Sequence, residues 1–485
     1  MSESNFKVVV VGGSISGLTL AHGLEKLGID YVVIEKRDQI APQEGTFIGV
    51  LPNGSRVLEQ LGLFTKNIEK QVQPLTVTHL AWGDGFCYTT DAPGTISKRF
   101  GFPIAFIERQ KLLECLKLNI PDAKIHLNKT FIGLEELNDG TFNVHTKNGD
   151  CYHADLVVGA DGVHSKVRAE MWRLANDSHP GLVSQEEMNS MTIEYNCTWG
   201  ISSAVPGLKV GEQISAIGQG LCILVFTRED GCVYWFFTEK LDRKYSYAEA
   251  PRYTREETVQ RCEELADTTV FKDVKWGDLW EKRLIFAKSS LEEVVLQRWY
   301  WRRIVCIGDS MHKMAPNSGQ GANSAIEDVA GLLNTLKDTL TSPSGPAELE
   351  ARLSQFNSLR LERIKKVDKD ARFLVRLHTQ NSLLYKIIGR YIVPRCSRDL
   401  VEDFATTLMF DATKLLWAAE PARSGPVFTS AITKGKTKSL APQMMGALVL
   451  VTACSMGMFV RWNPKFAEQL AGHIPYLSRM LYSIV

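Results

Sequence analysis

The sequence predicts an α/β fold: a parallel-sheet unit interrupted by an inserted antiparallel β-sheet, then a helical region and a C-terminal transmembrane helix. Three observations predict it. Residues 6–35 pass from a run of valines through a glycine turn and the helical stripe Leu18, Ala21, Leu24 and Leu27 into a second apolar run. Two more strand-like runs, 154–161 and 303–309, each lead towards a helix. Between them lies a stretch of short, alternating, aromatic-rich segments such as 221–226 and 232–237.

Taken in order, residues 6–35 read as a βαβ unit, and a parallel sheet follows because its two strands are joined by a helical crossover. The first unit extends over residues 1–175, with some strands of the inserted layer near 75–107, and a helix is expected from Ser165 to Trp172. Residues 176–298 form the β-rich insertion. Residues 299–345 return to the parallel sheet, through Pro316 and Gly319 into a helix from about Ala322 to Leu340. A mixed-charge helical region covers 346–420, and a Ser-, Thr-, Lys- and Pro-rich linker covers 421–443. Residues 444–460, MMGALVLVTACSMGMFV, carry no charge, and with Leu440 the stretch is about 30 Å long as a helix, the thickness of a bilayer core. The alternatives are a buried core helix or a membrane-surface segment. Arg423, Lys434, Lys436 and Lys438 precede it without an acid, which keeps the large N-terminal part cytoplasmic, with a tail at 461–485 on the far side. A single-pass protein of the endoplasmic reticulum membrane is expected.

Composition removes several classes. The 485 residues are 44% hydrophobic and 23% charged, which excludes a disordered or collagenous chain. With 56 basic against 55 acidic side chains and no basic tract, no nucleic-acid partner is expected. Ten scattered cysteines without a C-x-x-C pair suggest neither a zinc site nor a disulfide framework. The amino terminus meets the valine run too early to be a signal peptide.

Gly12-Gly13-Ser14-Ile15-Ser16-Gly17 matches the dinucleotide fingerprint at its first and third glycines, with Ser14 where the second usually stands. A strand-to-helix turn needs Gly12, close helix packing needs Gly17, and the helix N-terminus offers N–H groups to a pyrophosphate. Glu35 ends the next strand, placed to accept hydrogen bonds from an adenosine ribose, and an acid there disfavours a 2′-phosphate. FAD or NAD would fit. The second cluster, Gly308-Asp309 followed by Ala315-Pro316-Asn317-Ser318-Gly319-Gln320-Gly321-Ala322-Asn323, favours FAD. Asp309 suits the hydroxyls of a ribityl chain. A helix N-terminus at Gly321 and Ala322 suits the electron-rich edge of a reduced isoalloxazine. The fold expected is therefore a Rossmann-like FAD-binding domain with an inserted β-sheet substrate domain.

These segments, with Asp155 and Gly159-Ala160-Asp161-Gly162, resemble the FAD-dependent aromatic hydroxylase superfamily, the group A flavin monooxygenases, from about residue 6 to 340. The wording of residues 11–22, 49–54 and 99–104 and the C-terminal apolar run resemble its fungal PaxM-like subfamily of meroterpenoid and indole-diterpene epoxidases. The resemblance implies that Glu35, Gly49, Arg109, Asp309 and Ala322 contact FAD, alongside Gly12, Ser14, Gly17 and Gly321. It places Arg109 near the flavin's phosphate and ribityl region, where a guanidinium fork suits phosphate oxygens. Asp161 falls in the segment that serves both FAD and the nicotinamide nucleotide. Arg168 reads as a phosphate partner or a solvated helix residue.

The resemblance further implies that NADPH reduces FAD, O₂ adds as a C4a-hydroperoxyflavin, and an olefin of a prenylated, lipophilic substrate is epoxidised, with a membrane-bound terpene cyclase as a possible partner. Hydroxylation of an activated aromatic ring is the sister reading. A flavin-binding membrane scaffold without oxygenase activity is the reading from another class. No metal is required. Tyr195 matches a family tyrosine at the start of a strand facing the flavin, or is a core or edge-strand tyrosine. His312 is a candidate proton relay or a packing residue. Trp199, Leu224, Phe226, Trp235 and Phe237 suit the wall of an apolar pocket, as they would any packed β-layer.

Overall fold

The computed structural model describes residues 6–42, 47–342, 348–396, 406 and 409–429. Strand β1 (Lys7–Val11) is buried through its four valines, so the run needs no polar alternation. It leads into helix α1 (Ile15–Leu27) and strand β2 (Asp30–Ile34). β1 pairs in parallel with β2 and with the strand Leu156–Gly159, which pairs in parallel with Ile304–Cys306. The six-stranded sheet is completed by Tyr300–Trp301 at one edge and Ile125–His126 at the other.

Register decides what this sheet presents. Ile34 lies opposite Val11, Val11 opposite Gly159, and Gly159 opposite Cys306. The residues that leave the sheet from that row are Glu35, Gly12, Ala160-Asp161 and Ile307-Gly308-Asp309. Three segments far apart in sequence thus meet at the carboxyl ends of parallel strands, where open α/β sheets place their ligands.

The inserted layer is an eight-stranded sheet, antiparallel except where Glu212–Ile217 runs parallel to Val77–Trp82. Val77–Trp82 and Cys87–Thr90 form one edge of it, and the short strand His312–Lys313 forms the other, beside Arg283–Val295 and then Thr192–Ser202. The chain from Cys306 to Lys313 therefore leaves one sheet and joins the other, with Asp309 between them. A small sheet of β3 (Phe47–Val50), Ala105–Glu108 and Gln73–Pro74, a meander of Phe131–Glu136, Phe142–Thr146 and Cys151–Ala154, and a two-stranded hairpin of Thr269–Phe271 and Val274–Lys275 complete the β-structure described.

The helix expected from Ser165 begins at Lys166 and runs to Ser178, and the helix expected from Ala322 runs from Gln320 to Thr341. The latter packs on α1, on helix α2 (Pro52–Gln60) and on the 30-residue helix Leu349–His378. Along that long helix Leu349, Leu353, Phe356, Arg360, Ile364, Val367, Ala371 and Val375 form a buried stripe at three- and four-residue spacing, apolar but for Arg360, with Asn357 and His378 buried beside it.

The stretch read as a linker is packed at its start. Arg423 donates from Nε to the Gly101 carbonyl at 3.0 Å, pairs with Glu69 at 2.8 Å, and lies over the rings of Phe64 and Phe102. The Gly425 amide donates to the Phe100 carbonyl at 2.8 Å. A chain ended before Arg423 should be less stable than one ended at Ser430 by about 1–3 kcal/mol, the charge-assisted bonds at Gly101 and Glu69, in a urea titration. Among the described residues no helix is long and apolar enough to cross a membrane, and the run expected to span one, 444–460, lies outside them.

Candidate functional site

The first turn is built as its glycines require. Gly12 has φ +113°, and a Cβ there would lie 2.3 Å from the Ala160 carbonyl oxygen. A Cβ on Gly17 would lie 1.9 Å from the Gly12 oxygen. The turn is thus pressed against the next strand and against its own helix. Ser14 occupies the N-cap position of α1 without capping it through its side chain. Its hydroxyl instead accepts from Arg109 Nη2 at 3.2 Å, across 95 residues. Arg109 opens the helix Arg109–Lys117, so a guanidinium sits beside a helix N-terminus whose first N–H groups have no intrahelical partners. Fixed positive charge and open donors together suit a pyrophosphate.

Glu35 is 6% exposed. One carboxylate oxygen accepts from the Gly13 amide at 2.7 Å and the other from the Arg37 amide at 3.0 Å. Oε1 also meets Arg37 Nη1 at 3.5 Å, and Oε2 keeps a lone pair for a further donor such as a ribose hydroxyl.

Asp309 sits on the turn Gly308–Ser310 and is paired with Lys313, whose ammonium it holds in the charged form. Lys313 is a site residue that the sequence did not single out. Its trace in the sequence is its place four residues after Asp309. At the other end of this loop Gly319 takes φ +64° and caps the helix Gln320–Thr341. Gly321, on that helix's first turn, has nothing within 4 Å of where a Cβ would be, so the turn opens onto free space. Ala322 follows it, half-buried. Asn323 joins the pieces: its amide donates to the carbonyls of Gly49 and Gly319 at 2.8 and 2.7 Å, and its oxygen accepts from the Leu51 amide at 3.1 Å. Gly49, on β3, is thereby tied to the same turn, and the N-termini of α2 and of Gln320–Thr341 are brought side by side.

Two expected residues have other employment. Asp161 accepts from the Ser165 hydroxyl at 2.5 Å and from the amides of Lys166 and Val167 at 2.8 and 3.2 Å, closing the start of the helix Lys166–Ser178. Burial pushes its carboxyl up against the pull of those bonds. Arg168 is neither a solvated residue nor open to a phosphate: it donates to the carbonyls of Ser310 and Val163 at 2.5 and 3.1 Å and lies over Trp172. It braces the Asp309 turn. His312 is 1% exposed, and its Nε2 meets Asp328 Oδ2 at 2.6 Å, facing the core.

That aspartate belongs to a buried charge cluster beneath the site. Arg360 donates to Asp328 at 2.8 Å and to Glu327 at 2.9 Å, Arg363 donates to Glu327 at 3.0 Å, and Asn53 of α2 donates to Glu327 at 2.8 Å. Burial alone would raise the Glu327 carboxyl, but Arg363 and Arg360 more than offset it and bring the group down to about 2.

Tyr195 is fully buried on the strand Thr192–Ser202, packed against Leu291, Ala315 and Val375. Burial pushes its phenol well above the usual range, and among the described residues its hydroxyl makes no hydrogen bond of good geometry. Its contact with Ala315 places it behind the loop that runs from Asp309 to Gly319. Nearby, the Asn317 amide meets His378 Nδ1 at 3.3 Å, and burial lowers the His378 imidazole to about 4. Among the described residues no group of three His, Cys, Asp or Glu side chains is placed to hold a metal ion.

The residues present fit a bound FAD: a glycine cradle, an acid with one oxygen open to a further donor, a cationic fork at a helix N-terminus, and an open first turn beside a second helix start. Comparison with known proteins agrees. A family model described as FAD binding domain matches residues 5–369. The chain is 45% identical over 427 residues to the FAD-dependent monooxygenase cle3 of Aspergillus versicolor, covering 87% of each chain. It is 46% identical to the FAD-dependent monooxygenase cdmI of Talaromyces verruculosus, covering 92% of this chain and 94% of that one. In fold it is similar to Klebsiella pneumoniae HpxO complexed with FAD and uric acid, with a TM-score of 0.69 at 18% identity over 84% of this chain and 98% of that one. On this match of residues, fold and sequence, the chain belongs to the FAD-binding family of FAD-dependent monooxygenases.

Proposed function

We propose that this monooxygenase epoxidises an olefin of a prenylated, lipophilic small molecule, with NADPH as reductant. The balance is substrate, O₂, NADPH and a proton in, and epoxide, water and NADP⁺ out. The observation that carries the reading is the junction at Asp309, where the nucleotide sheet passes directly into the apolar sheet that holds Tyr195. Bound FAD supplies the redox chemistry, taking an electron pair from the nicotinamide and activating O₂.

The chain's own residues bind and orient. Glu35 would accept from the adenosine ribose, Arg109 and the first turn of α1, through Gly12, Ser14 and Gly17, would take the pyrophosphate, and Asp309 would accept from the ribityl hydroxyls. Gly49, Gly321 and Ala322 would border the ring, where the helix N-terminus would favour negative charge. Asp161 acts one step away, by holding the helix Lys166–Ser178. Tyr195 offers a hydroxyl with an unused hydrogen to a substrate oxygen or to the oxidant, and remains the candidate catalytic residue. The apolar side chains packed on it, Leu291, Ala315 and Val375, exclude water.

Epoxidation is favoured over aromatic hydroxylation by one feature. A phenolate would need a free cation, but Arg376, which lies over the Tyr195 ring, is paired with Glu194 at 2.5 Å and with Glu293 at 3.4 Å. A lipophilic substrate also gives a use to the apolar run at 444–460 as a single-pass anchor in the endoplasmic reticulum membrane, with the catalytic unit cytoplasmic. A terpene cyclase in the same membrane is the partner that such a product would meet.

Glu35→Ala and Asp309→Ala are each expected to hold FAD about 10- to 100-fold more weakly, the loss of one or two bonds to a charged acceptor, and to purify with less yellow colour. Full retention by both would sink the nucleotide-site assignment. Wild-type protein given prenylated aromatic or indole-diterpenoid precursors should add one oxygen by mass spectrometry. FAD uptake without NADPH oxidation on any such compound supports a scaffold instead.

A further inference from the structure

From Leu383 to Arg395 the chain forms a continuous series of short helical turns. Ile388 and Gly389 are buried, and Arg390 ties the segment to the hairpin tip by pairing with Asp84 at 2.7 Å and stacking on Phe86 at 3.7 Å. The other side is apolar and open: Leu383 is 73% exposed, Leu384 50%, Ile387 38% and Tyr391 54%. Ile387 stands four residues from Leu383, three from Leu384 and four from Tyr391, spacings that gather the four into one ridge. Few places on a folded chain leave so many large apolar side chains together in water.

Lys386 and Arg395 are exposed beside the ridge, and residues 382–396 contain no acid. A cavity of about 360 Å³ opens alongside, lined by Trp82, Asp84, Ile217, Lys386, Arg390 and Tyr391 among others, with Asp84 paired to Arg390. An apolar ridge with flanking cations and aromatic side chains is the pattern of an element lying in a membrane interface, apolar side in the acyl boundary and cations at anionic headgroups. A protein partner would satisfy the ridge but gives no reason for the exposed cations Lys386 and Arg395 beside it, which outnumber the acid of the cavity, Asp84, already paired to Arg390.

We propose that the ridge Leu383, Leu384, Ile387 and Tyr391 docks this enzyme on an anionic lipid surface, a contact made by the catalytic unit itself. It rests on the proposed function only in that a lipophilic substrate gives the contact a use. Lipid contact here and the spanning of a membrane by residues 444–460 are separate events.

The test is hydrogen exchange of the full-length protein, alone and with vesicles of phosphatidylcholine or of phosphatidylcholine with phosphatidylserine. Amides of 383–395 should exchange about 5- to 10-fold more slowly on the anionic vesicles, with a smaller effect on neutral ones. Leu383→Glu with Leu384→Glu should remove that protection and leave the unfolding temperature and FAD content unchanged, since both side chains are exposed. Three results overturn the proposal: no added protection at 383–395 on vesicles, protection that grows with protein concentration in the absence of lipid, and slow exchange of the lipid-free monomer from cover by its own chain. Oxygenation of a detergent-dissolved substrate tests the proposed function separately, and it should survive the double substitution.

Discussion

Arg360→Ala should unfold at about 3–5 kcal/mol less than the wild-type free energy, the range for removing one partner from a buried ion cluster. Arg360 is 2% exposed and Glu327 and Asp328 are fully buried, so the substitution leaves two carboxylates with fewer cations and a void in the stripe of the long helix. Loss of FAD should accompany it, because Asn53 and the Gly308 amide hang on the same two carboxylates. Urea titration and flavin absorbance check both parts.

The same cluster sets an acid limit. The Glu327 carboxyl lies at about 2 in the folded chain against an ordinary 4.5, and Asp328 is also lowered: although burial raises it, His312 and Arg360 more than compensate. Both pKa values are depressed by folding, so their stabilisation is complete above about pH 4.5 and disappears as pH falls towards 2. For Glu327 this is about 3 kcal/mol. Urea midpoints measured between pH 5 and 2.5 should fall steeply in the wild type. In Arg360→Ala the fall should begin at higher pH, since carboxylates with weaker partners protonate earlier.

Gly12→Ala should give protein without FAD and with stability reduced by about 3 kcal/mol or more. A φ of +113° costs an alanine about 1–3 kcal/mol, and its Cβ would overlap the Ala160 carbonyl, which belongs to a strand end that cannot move freely. Gly321→Ala is the informative contrast. Its Cβ meets nothing in the folded chain, so the apoprotein should melt at or above the wild-type temperature. Only FAD binding should weaken, because the methyl group stands in the space where the ring is proposed to lie. Unchanged FAD affinity in Gly321→Ala would move the ring away from that turn.

Much of this site was legible in the sequence because its signals are local. The strand, glycine turn and helix at residues 7–27 form one continuous pattern, and Gly12 and Gly17 are required by contacts within or beside it. Glu35 was legible from its place at the end of the next strand. Asp161 and Arg168 were less legible, for a common reason. A polar residue beside a motif can serve the ligand or hold the motif's backbone, and hydrogen-bond geometry separates the two. Arg360 left a trace, a lone arginine at a buried position of an otherwise apolar stripe, but its partners are 32 and 33 residues away on another helix.

The linker shows the same division. Residues 421–429 have a linker's composition, and only the packing of Arg423 against Gly101, Glu69 and two aromatic rings makes them part of the catalytic unit. Composition reports average polarity, while a cation held over aromatic faces depends on where distant rings stand.

By itself the sequence determined the strand and helix segments of the parallel sheet, the glycine-dependent turn and the acid at Glu35, since backbone preference and periodicity act between near neighbours. Tertiary structure alone decided the rest. Register set Ile34, Val11, Gly159 and Cys306 in one row, Arg109 reached Ser14 across 95 residues, and Asn323 bound Gly49 to Gly319. Such contacts depend on which segments become neighbours when several hundred residues collapse around a shared core, and no local pattern encodes that distance.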